Sequence, residues 1–458
     1  MYTLIAITGL GVLCLIAEIF NLRKAIVPVT IIGLLAILGF TVTQFNLPAA
    51  HYNNMVITDN FSVAFSSLFI LLTVFLVAMS PDFHEKQIEK ISDFVAIKLF
   101  LLAGGIAMVS FGNLAMFFLG IEILSISLYV LAASDRLSLK SNEAGMKYFL
   151  MGAFASGFIL FGIALIYGAT ASFDTAEIFK AASLSTTQHD WFHIGITLIS
   201  IGMLFKIAAA PFHFWAPDVY EGSPALTTAT MSTLAKVVAM AAFFRLISTM
   251  MPEVSASFQN VILVISILSM TVGNIMALKQ NNVKRMLAFS GISHAGFMLM
   301  TLLSITTAGG TLLYYTSAYA LAGIASFAVI LYVCKDKEDE DIFNFNGLGK
   351  TNPLLAAVLT GGLLSMAGIP IFSGFFGKFF LFNQVLNSGF VALVIIAVIN
   401  SIISVGYYFK VILAMYTKPA TEKTQHPTSY VYTAVAVVAI LLNIALGLCP
   451  DMVLHLIQ

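Results

Sequence analysis

Charge is what this sequence most lacks. Of its 458 residues 10% are charged and 59% hydrophobic, against about 25% charged in a typical soluble domain. A soluble fold this poor in polar groups would turn a largely apolar exterior to water, which excludes that class. The 22 basic residues match 22 acidic ones, so there is no basic footprint for nucleic acid. Cysteine is scarce as well. Cys14, Cys334 and Cys449 lie far apart in the chain, form neither a metal-ligand spacing nor a disulfide framework, and read as small buried hydrophobes. No dinucleotide fingerprint, CxxC cluster or bis-histidine haem pattern occurs, so electron carriers are expected outside this chain.

Long apolar runs are what the sequence has instead. A transmembrane helix needs roughly 20 predominantly apolar residues. That rule predicts an all-α polytopic membrane protein with spans near 2–20, 26–46, 60–80, 94–111, 113–134, 143–169 and 192–213. Seven more follow near 225–250, 258–278, 285–304, 309–333, 353–384, 390–416 and 428–448, fourteen in all. The first run counts as a span rather than a cleaved signal, because no basic residue precedes it, Glu18 lies near its end, and no small-residue cleavage site follows.

Loop charge tests that count. With the N-terminus outside, the cytoplasmic loops hold Arg23, Lys24, Lys86, Lys90, Lys98, Arg136, Lys140, Lys279, Lys284, Arg285, Lys335, Lys337, Lys350, Lys418 and Lys423. The opposite loops hold Lys180 alone. This asymmetry predicts a bacterial inner-membrane orientation with both termini periplasmic. The longest cytoplasmic loop carries Lys335-Asp336-Lys337-Glu338-Asp339-Glu340-Asp341, read either as solvated or as a docking contact for a neighbouring subunit.

Two spans look broken. The seventh meets Pro211 and Pro217 just after Lys206, and the twelfth has Gly368 and Pro370 before Lys378. Breaks inside a bilayer are tolerated where protein or a wet cavity satisfies the freed backbone groups, and corresponding breaks in two halves mark transport paths. The breaks are five spans apart, which predicts two five-helix units, residues 94–250 (helices 4–8) and 251–416 (helices 9–13). Residues 1–93 precede them with three helices and 417–458 follow with one. The lysine precedes the proline in one unit and follows it in the other, which hints at inverted topology.

Glu122, Lys206, Lys236 and Lys378 fall within spans. Each such charge costs at least ~2.5–3.5 kcal/mol at the bilayer centre unless paired or hydrated. A static salt bridge between Glu122 and one lysine is the plain reading, and it leaves two lysines unexplained. The functional reading is a relay, because burial disfavours a charged lysine and an approaching carboxylate favours it. Arg245 and Lys410 lie nearer span ends, where they can snorkel and serve structure. Glu143 and Lys147, spaced i,i+4, are either a helix-stabilising pair or a coupling element. His213, beside the first break, either passes a proton or caps freed backbone. His294 suits a relay because imidazole titrates near neutrality, or else is a satisfied core histidine.

These residues resemble a known family. Gly120-Ile121-Glu122, Gly145-Met146-Lys147-Tyr148-Phe149-Leu150, the stretch from Phe205-Lys206 through Pro211-Phe212-His213-Phe214-Trp215 to Gly222, Leu234-Ala235-Lys236, Lys284 to Gly296 and Gly374-Phe375-Phe376-Gly377-Lys378 are similar to the antiporter-like membrane subunits of respiratory complex I. Among the paralogues the N type is nearest: a lysine stands at 378 where the M type has glutamate, and the chain stops at Gln458 without the L type's lateral helix. Gly291 departs from the serine expected there.

The resemblance implies fourteen helices in two inverted repeats and a non-redox subunit of a proton-translocating NADH:quinone oxidoreductase. Glu122 and Lys206 would form the pair of the first half-channel, Lys236 the central relay lysine and Lys378 the terminal one. FMN and iron–sulfur clusters would sit in partner subunits, with quinone the substrate of the complex. Partners would be the other membrane subunits, including neighbouring antiporter-like ones. The same lysines suit a subunit of a multisubunit sodium/proton antiporter, and a non-conducting scaffold is the third reading.

Overall fold

The computed structural model describes residues 1–184, 189–250, 255–335, 337, 339–420 and 429–457. Lys423 of the loop-charge count, and Asp336 and Glu338 of the acidic loop, lie outside the described residues, as does the side chain of Lys86. Twelve described helices are long and apolar enough to cross a bilayer. Six precede the first break: α1 (Tyr2–Ile19), α2 (Arg23–Val42), α3 (Asn60–Phe83), α4 (Ile91–Val109), α5 (Leu114–Ala132) and α6 (Leu139–Thr170). The expected seventh span is split into α7 (His189–Lys206) and α8 (Trp215–Gly222). Then come α9 (Ala225–Met250), α10 (Ala256–Leu278), α11 (Val283–Leu303) and α12 (Gly309–Val333). The expected twelfth span is likewise split, into α13 (Pro353–Ala367) and α14 (Ser373–Asn387). The last two are α15 (Val391–Thr417) and α16 (Tyr430–Leu448).

Burial ranks these helices. The apolar windows of α9 and α11 are 100% buried and that of α12 is 94% buried, whereas α1 and α2 are each 28% buried. The polar side chains of interest lie on or against the central three. Side-chain caps mark where helices start at the membrane surface: Asp59 accepts from Ser62 N, Asn113 from Met116 N, Asn282 from Arg285 N and Asn352 from Leu355 N. Each satisfies one of the amide groups that a helix start leaves unpaired.

The loop between α2 and α3 holds a feature absent from the sequence reading. β1 (Ala50–Tyr52) and β2 (Val56–Thr58) form an antiparallel hairpin. Ile57 N donates to Ser110 O at 2.7 Å and Gly112 N to Met55 O at 2.8 Å, stitching the hairpin to the α4–α5 junction.

Several expectations need correction. Lys98 is not a loop residue: α4 begins at Ile91, so Lys98 lies two turns inside, buried, with Nζ donating to Ser80 Oγ at 2.8 Å. Arg245 is buried too, and its guanidinium donates to both carboxylate oxygens of Asp59 at 3.0 Å. Its charge is closed off by a carboxylate rather than carried to water. Lys410 does reach the chain beyond α10, donating to Gln280 O at 2.8 Å. The acidic loop folds back on its own chain, because Glu340 pairs with buried Lys284 at 2.8 Å and Lys335 with Glu85 at 2.8 Å. Of the cysteines only Cys14 is buried; Cys449 is exposed, since it stands just past the end of α16.

Candidate proton-relay site

The two breaks position the lysines. Lys206 is the last residue of α7, and beyond it the chain leaves the helix for residues 207–214. The freed backbone is satisfied within the protein, as burial requires. Trp215 Nε1 donates to Phe205 O at 3.1 Å, and Ala210 N donates to Ser269 Oγ of α10 at 2.8 Å. In the second break Ala367 O accepts from Lys378 Nζ at 2.9 Å and from Ser401 Oγ at 3.3 Å. Gly368 ends α13 with φ +88, and a Cβ there would stand 2.9 Å from Lys378 Cδ, so both backbone and space require glycine. Each break also holds a non-glycine residue in the left-handed region, Ala208 at φ 57 and Ile371 at φ 90. Such residues cost about 1–3 kcal/mol and persist where the surroundings impose them.

Lys206 is buried, and its ammonium donates to Ser125 Oγ at 2.5 Å and Tyr129 OH at 3.4 Å. Glu122 is half-buried one turn earlier on α5, and its Oε1 has no hydrogen-bond partner among the described residues. Ser125 and Tyr129 share a face of α5 with Glu122, Ser125 Oγ donates to Ile121 O at 2.5 Å, and Glu122 and Lys206 form no direct ion pair among the described residues. Ser125 and Tyr129 are missed by a search for charges. Their spacing from Glu122, i+3 and i+7 on one helix, is the signal that would have found them.

Lys236 opens the last helical stretch of α9, directly after a π turn over Met231–Ala235. Its Nζ is buried without a hydrogen-bond partner among the described residues. The ammonium fills the space left by Gly291: a Cβ at 291 would lie 2.6 Å from Lys236 Nζ and 3.3 Å from Tyr319 OH. The departure from serine at 291 therefore coincides with the seat of the lysine. Tyr319 also lies within 3.3 Å of Ser232 Oγ, and its ring is 4.7 Å from that of His294.

His294 is buried one turn beyond Gly291, and both its ring nitrogens are engaged. Nδ1 is 2.8 Å from Tyr315 OH and Nε2 is 3.3 Å from Tyr408 OH. Tyr408 OH also lies 2.5 Å from Ser290 Oγ. Lys378 Nζ donates to Ser401 Oγ at 2.8 Å and sits 5.0 Å above the ring of Phe297. A cavity of about 10 Å³ lies between His294 and Lys378, lined also by Tyr315, Tyr319 and Ser365. That is room for about one water, with polar partners to hold it.

The remaining two groups behave differently. Glu143 and Lys147 form their i,i+4 pair at 2.7 Å, and Lys147 also binds Asp218 at 3.1 Å. Asp218 continues to Arg285 at 2.8 Å, which holds Glu221 at 2.8 Å, so the chain of charges ties α6 through α8 to α11. His213 is buried in the first break, stacked on Phe214 at 4.5 Å, and its Nδ1 has no hydrogen-bond partner among the described residues. A polar pocket of about 320 Å³ lies beside the start of α9, walled by Glu221, Ser223, Lys284 and Glu340 among others. Among the described residues no three His, Cys, Asp or Glu side chains gather as a metal site.

Residues 112–404 match the family described as "NADH:quinone oxidoreductase/Mrp antiporter, TM". NADH-quinone oxidoreductase subunit N of Flavobacterium johnsoniae is 69% identical over 466 residues, covering 100% of both chains. The subunit N of Cytophaga hutchinsonii is 44% identical and covers 100% of this chain and 99% of its own. Among solved structures, a chain of respiratory complex I from Thermus thermophilus with bound aureothin superposes with a TM-score of 0.86 at 30% identity, covering 99% of this chain and 98% of that one. A chain of the Mrp complex from Dietzia sp. superposes with a TM-score of 0.84 at 23% identity, covering 99% and 94%, a likeness of fold.

Proposed function

The chain belongs to the NADH:quinone oxidoreductase/Mrp antiporter transmembrane family, and on that premise we propose that it serves as the proton-translocating membrane subunit of an NADH:quinone oxidoreductase. The observation that carries this reading is the run of buried polar groups along the central helices: Lys206 with Ser125 and Tyr129, Lys236 beside Tyr319, His294 between Tyr315 and Tyr408, and Lys378 with Ser401. The electron carriers, flavin and iron–sulfur clusters, belong to partner subunits, and quinone is reduced elsewhere in the complex. The subunit sits in the bacterial inner membrane beside other antiporter-like subunits, with both termini periplasmic.

Protons enter from the cytoplasmic side, where the polar pocket reaches the start of α9, and pass by water between the lysines. Ser125 holds the Lys206 ammonium and Glu122 acts on it by charge from the same face of α5, so a shift of α5 by a fraction of a turn changes how well the ammonium is held. Lys236 has the least protein support of the three lysines, which suits a carrier that must give its proton up. Lys206 stands before its break and Lys378 after its own, an arrangement that supports two inverted repeats over residues 94–250 and 251–416. The sodium/proton antiporter reading draws on the shared family and on likeness of fold, whereas full-length identity of 69% is to a quinone oxidoreductase subunit.

The test is NADH-driven acidification measured beside NADH:quinone activity in inverted membrane vesicles, with assembly checked separately. Lys206→Ala and Lys236→Ala are expected to assemble, to pump poorly and to slow quinone reduction. Lys206→Arg is expected to rescue poorly, because guanidinium does not release its proton. Wild-type pumping in an assembled double alanine variant would leave the scaffold reading standing.

A further inference from the structure

α15 carries two pairs of polar residues, each spaced by seven: Asn400 with Tyr407, and Ser401 with Tyr408. Seven residues are close to two full turns, so each pair lines one face, and adjacent residues are about 100° apart around the axis. The second face serves the relay, since Ser401 accepts from Lys378 and Tyr408 meets His294 and Ser290. The first face is fastened to α10. Asn274, fully buried, donates from Nδ2 to Asn400 O at 2.8 Å and Asn400 Oδ1 at 3.1 Å, and its Oδ1 accepts from Tyr407 OH at 3.0 Å. Asn400 donates in turn to Ile396 O at 3.0 Å and Thr271 Oγ1 at 3.4 Å.

We propose that the Asn274–Asn400–Tyr407 lock sets the rotation of α15 about its own axis, and thereby holds Ser401 at Lys378 and Tyr408 at His294. Asn274 and Asn400 are positioning residues hydrogen-bonded to neither Lys378 nor His294. The reason is geometric: two anchor points two turns apart fix both the rotation and the axial position of a helix. Freed, α15 would keep the Lys410 bond to Gln280 O near its end and the relay contacts themselves, but nothing else polar would hold this face, and lipid offers no hydrophobic penalty for exposing another apolar one. A small rotation displaces Ser401 and Tyr408 together, so one loosened contact weakens two relay positions at once.

This inference rests on the relay reading, and the experiment separates the two. Asn274→Leu, Asn400→Leu, Tyr408→Phe and Lys378→Ala are compared in the assembled complex for acidification, quinone reduction and their pH profiles. Asn274→Leu is expected to cause a several-fold loss of acidification and to move the pH profile in the same direction as Tyr408→Phe, whose deletion touches His294 directly. Asn400→Leu, which keeps the bonds from Asn274 to the backbone carbonyl and from Tyr407, is expected to give a smaller shift in the same direction. An unmoved pH profile in Asn274→Leu, with loss in Tyr408→Phe and Lys378→Ala, overturns the lock alone. If Asn274→Leu does not assemble, an unmoved profile in Asn400→Leu does the same. Wild-type pumping in both Tyr408→Phe and Lys378→Ala overturns the relay and the lock together.

Discussion

Lys206 is hydrogen-bonded to Ser125, at 2.5 Å, while the carboxylate one turn back on the same helix, Glu122, keeps an oxygen without a hydrogen-bond partner among the described residues. The serine gives its own proton to Ile121 O, at 2.5 Å, and receives the ammonium, so the carboxylate acts on Lys206 only through space. A hydrogen bond to a charged group contributes roughly 1.5–3 kcal/mol, so Ser125→Ala is expected to cut proton pumping several-fold with the complex assembled. Ser125→Thr keeps the hydroxyl and is expected to stay near wild type. Equal pumping by the alanine and wild-type complexes in the vesicle assay would mean that Lys206 does not depend on the serine to hold its proton.

Gly152 on α6 guards the second partner of Lys206. A Cβ there would stand 2.1 Å from Tyr129 OH and 2.7 Å from the ring carbon bearing it. An aromatic ring has no flexible end to give way, so the whole side chain must swing from the ammonium. Gly152→Ala is expected to destabilise the subunit by about 1–3 kcal/mol and to lower pumping. A melting temperature and acidification rate both at wild-type values would show that Tyr129 has room to move.

The outer end of α9 depends on pH through Asp59. Burial works to raise its carboxyl, and the charge and hydrogen bonds of Arg245, with Ser62, outweigh that and hold it below its ordinary value. A depressed carboxyl contributes stability that is full above the unfolded value of about 3.9 and is lost as pH falls through the folded value. Asp59→Asn leaves Arg245 buried without its counter-charge, a loss of about 3–5 kcal/mol at neutral pH. Thermal unfolding of the two purified proteins in detergent should differ most near pH 7 and converge in strong acid. Asparagine keeps the cap on Ser62 N, so a constant gap across that range would assign the effect to altered packing or hydrogen-bond geometry rather than to the lost charge.

Lys98 is a buried cation that donates, among the described residues, to a neutral hydroxyl, that of Ser80. Methionine is unbranched and of similar length, so Lys98→Met keeps the packing and removes the cost of burying charge. It is expected to melt at or above the wild-type temperature. Lys98→Ala leaves a cavity and is expected to lose about 2–5 kcal/mol. A Lys98→Met protein that melts well below wild type would show that the ammonium itself holds α4 to α3.

Much of this protein is legible without coordinates, because a bilayer admits few solutions. An apolar run of about 20 residues must satisfy its own backbone, so it is a helix; the twelve long helices fall where the apolar runs do, within a few residues. The proline and glycine clusters likewise announce the breaks at 207–214 and 368–372, since neither residue continues a helix readily. The intramembrane charges stand out for the opposite reason, their cost. Hydroxyls and amides carry no such signal, as a serine costs little wherever its own turn can accept its proton and a tyrosine wherever any neighbouring helix can. That Ser125 serves Lys206, that Gly291 makes room for Lys236, and that Asn274 meets Asn400 across 126 positions of sequence are decisions of packing alone. They depend on which helix faces which and at what rotation, and the pattern of apolar residues is nearly blind to rotation here. With lipid outside and apolar side chains within, every face of these helices reads alike until a partner is set against it.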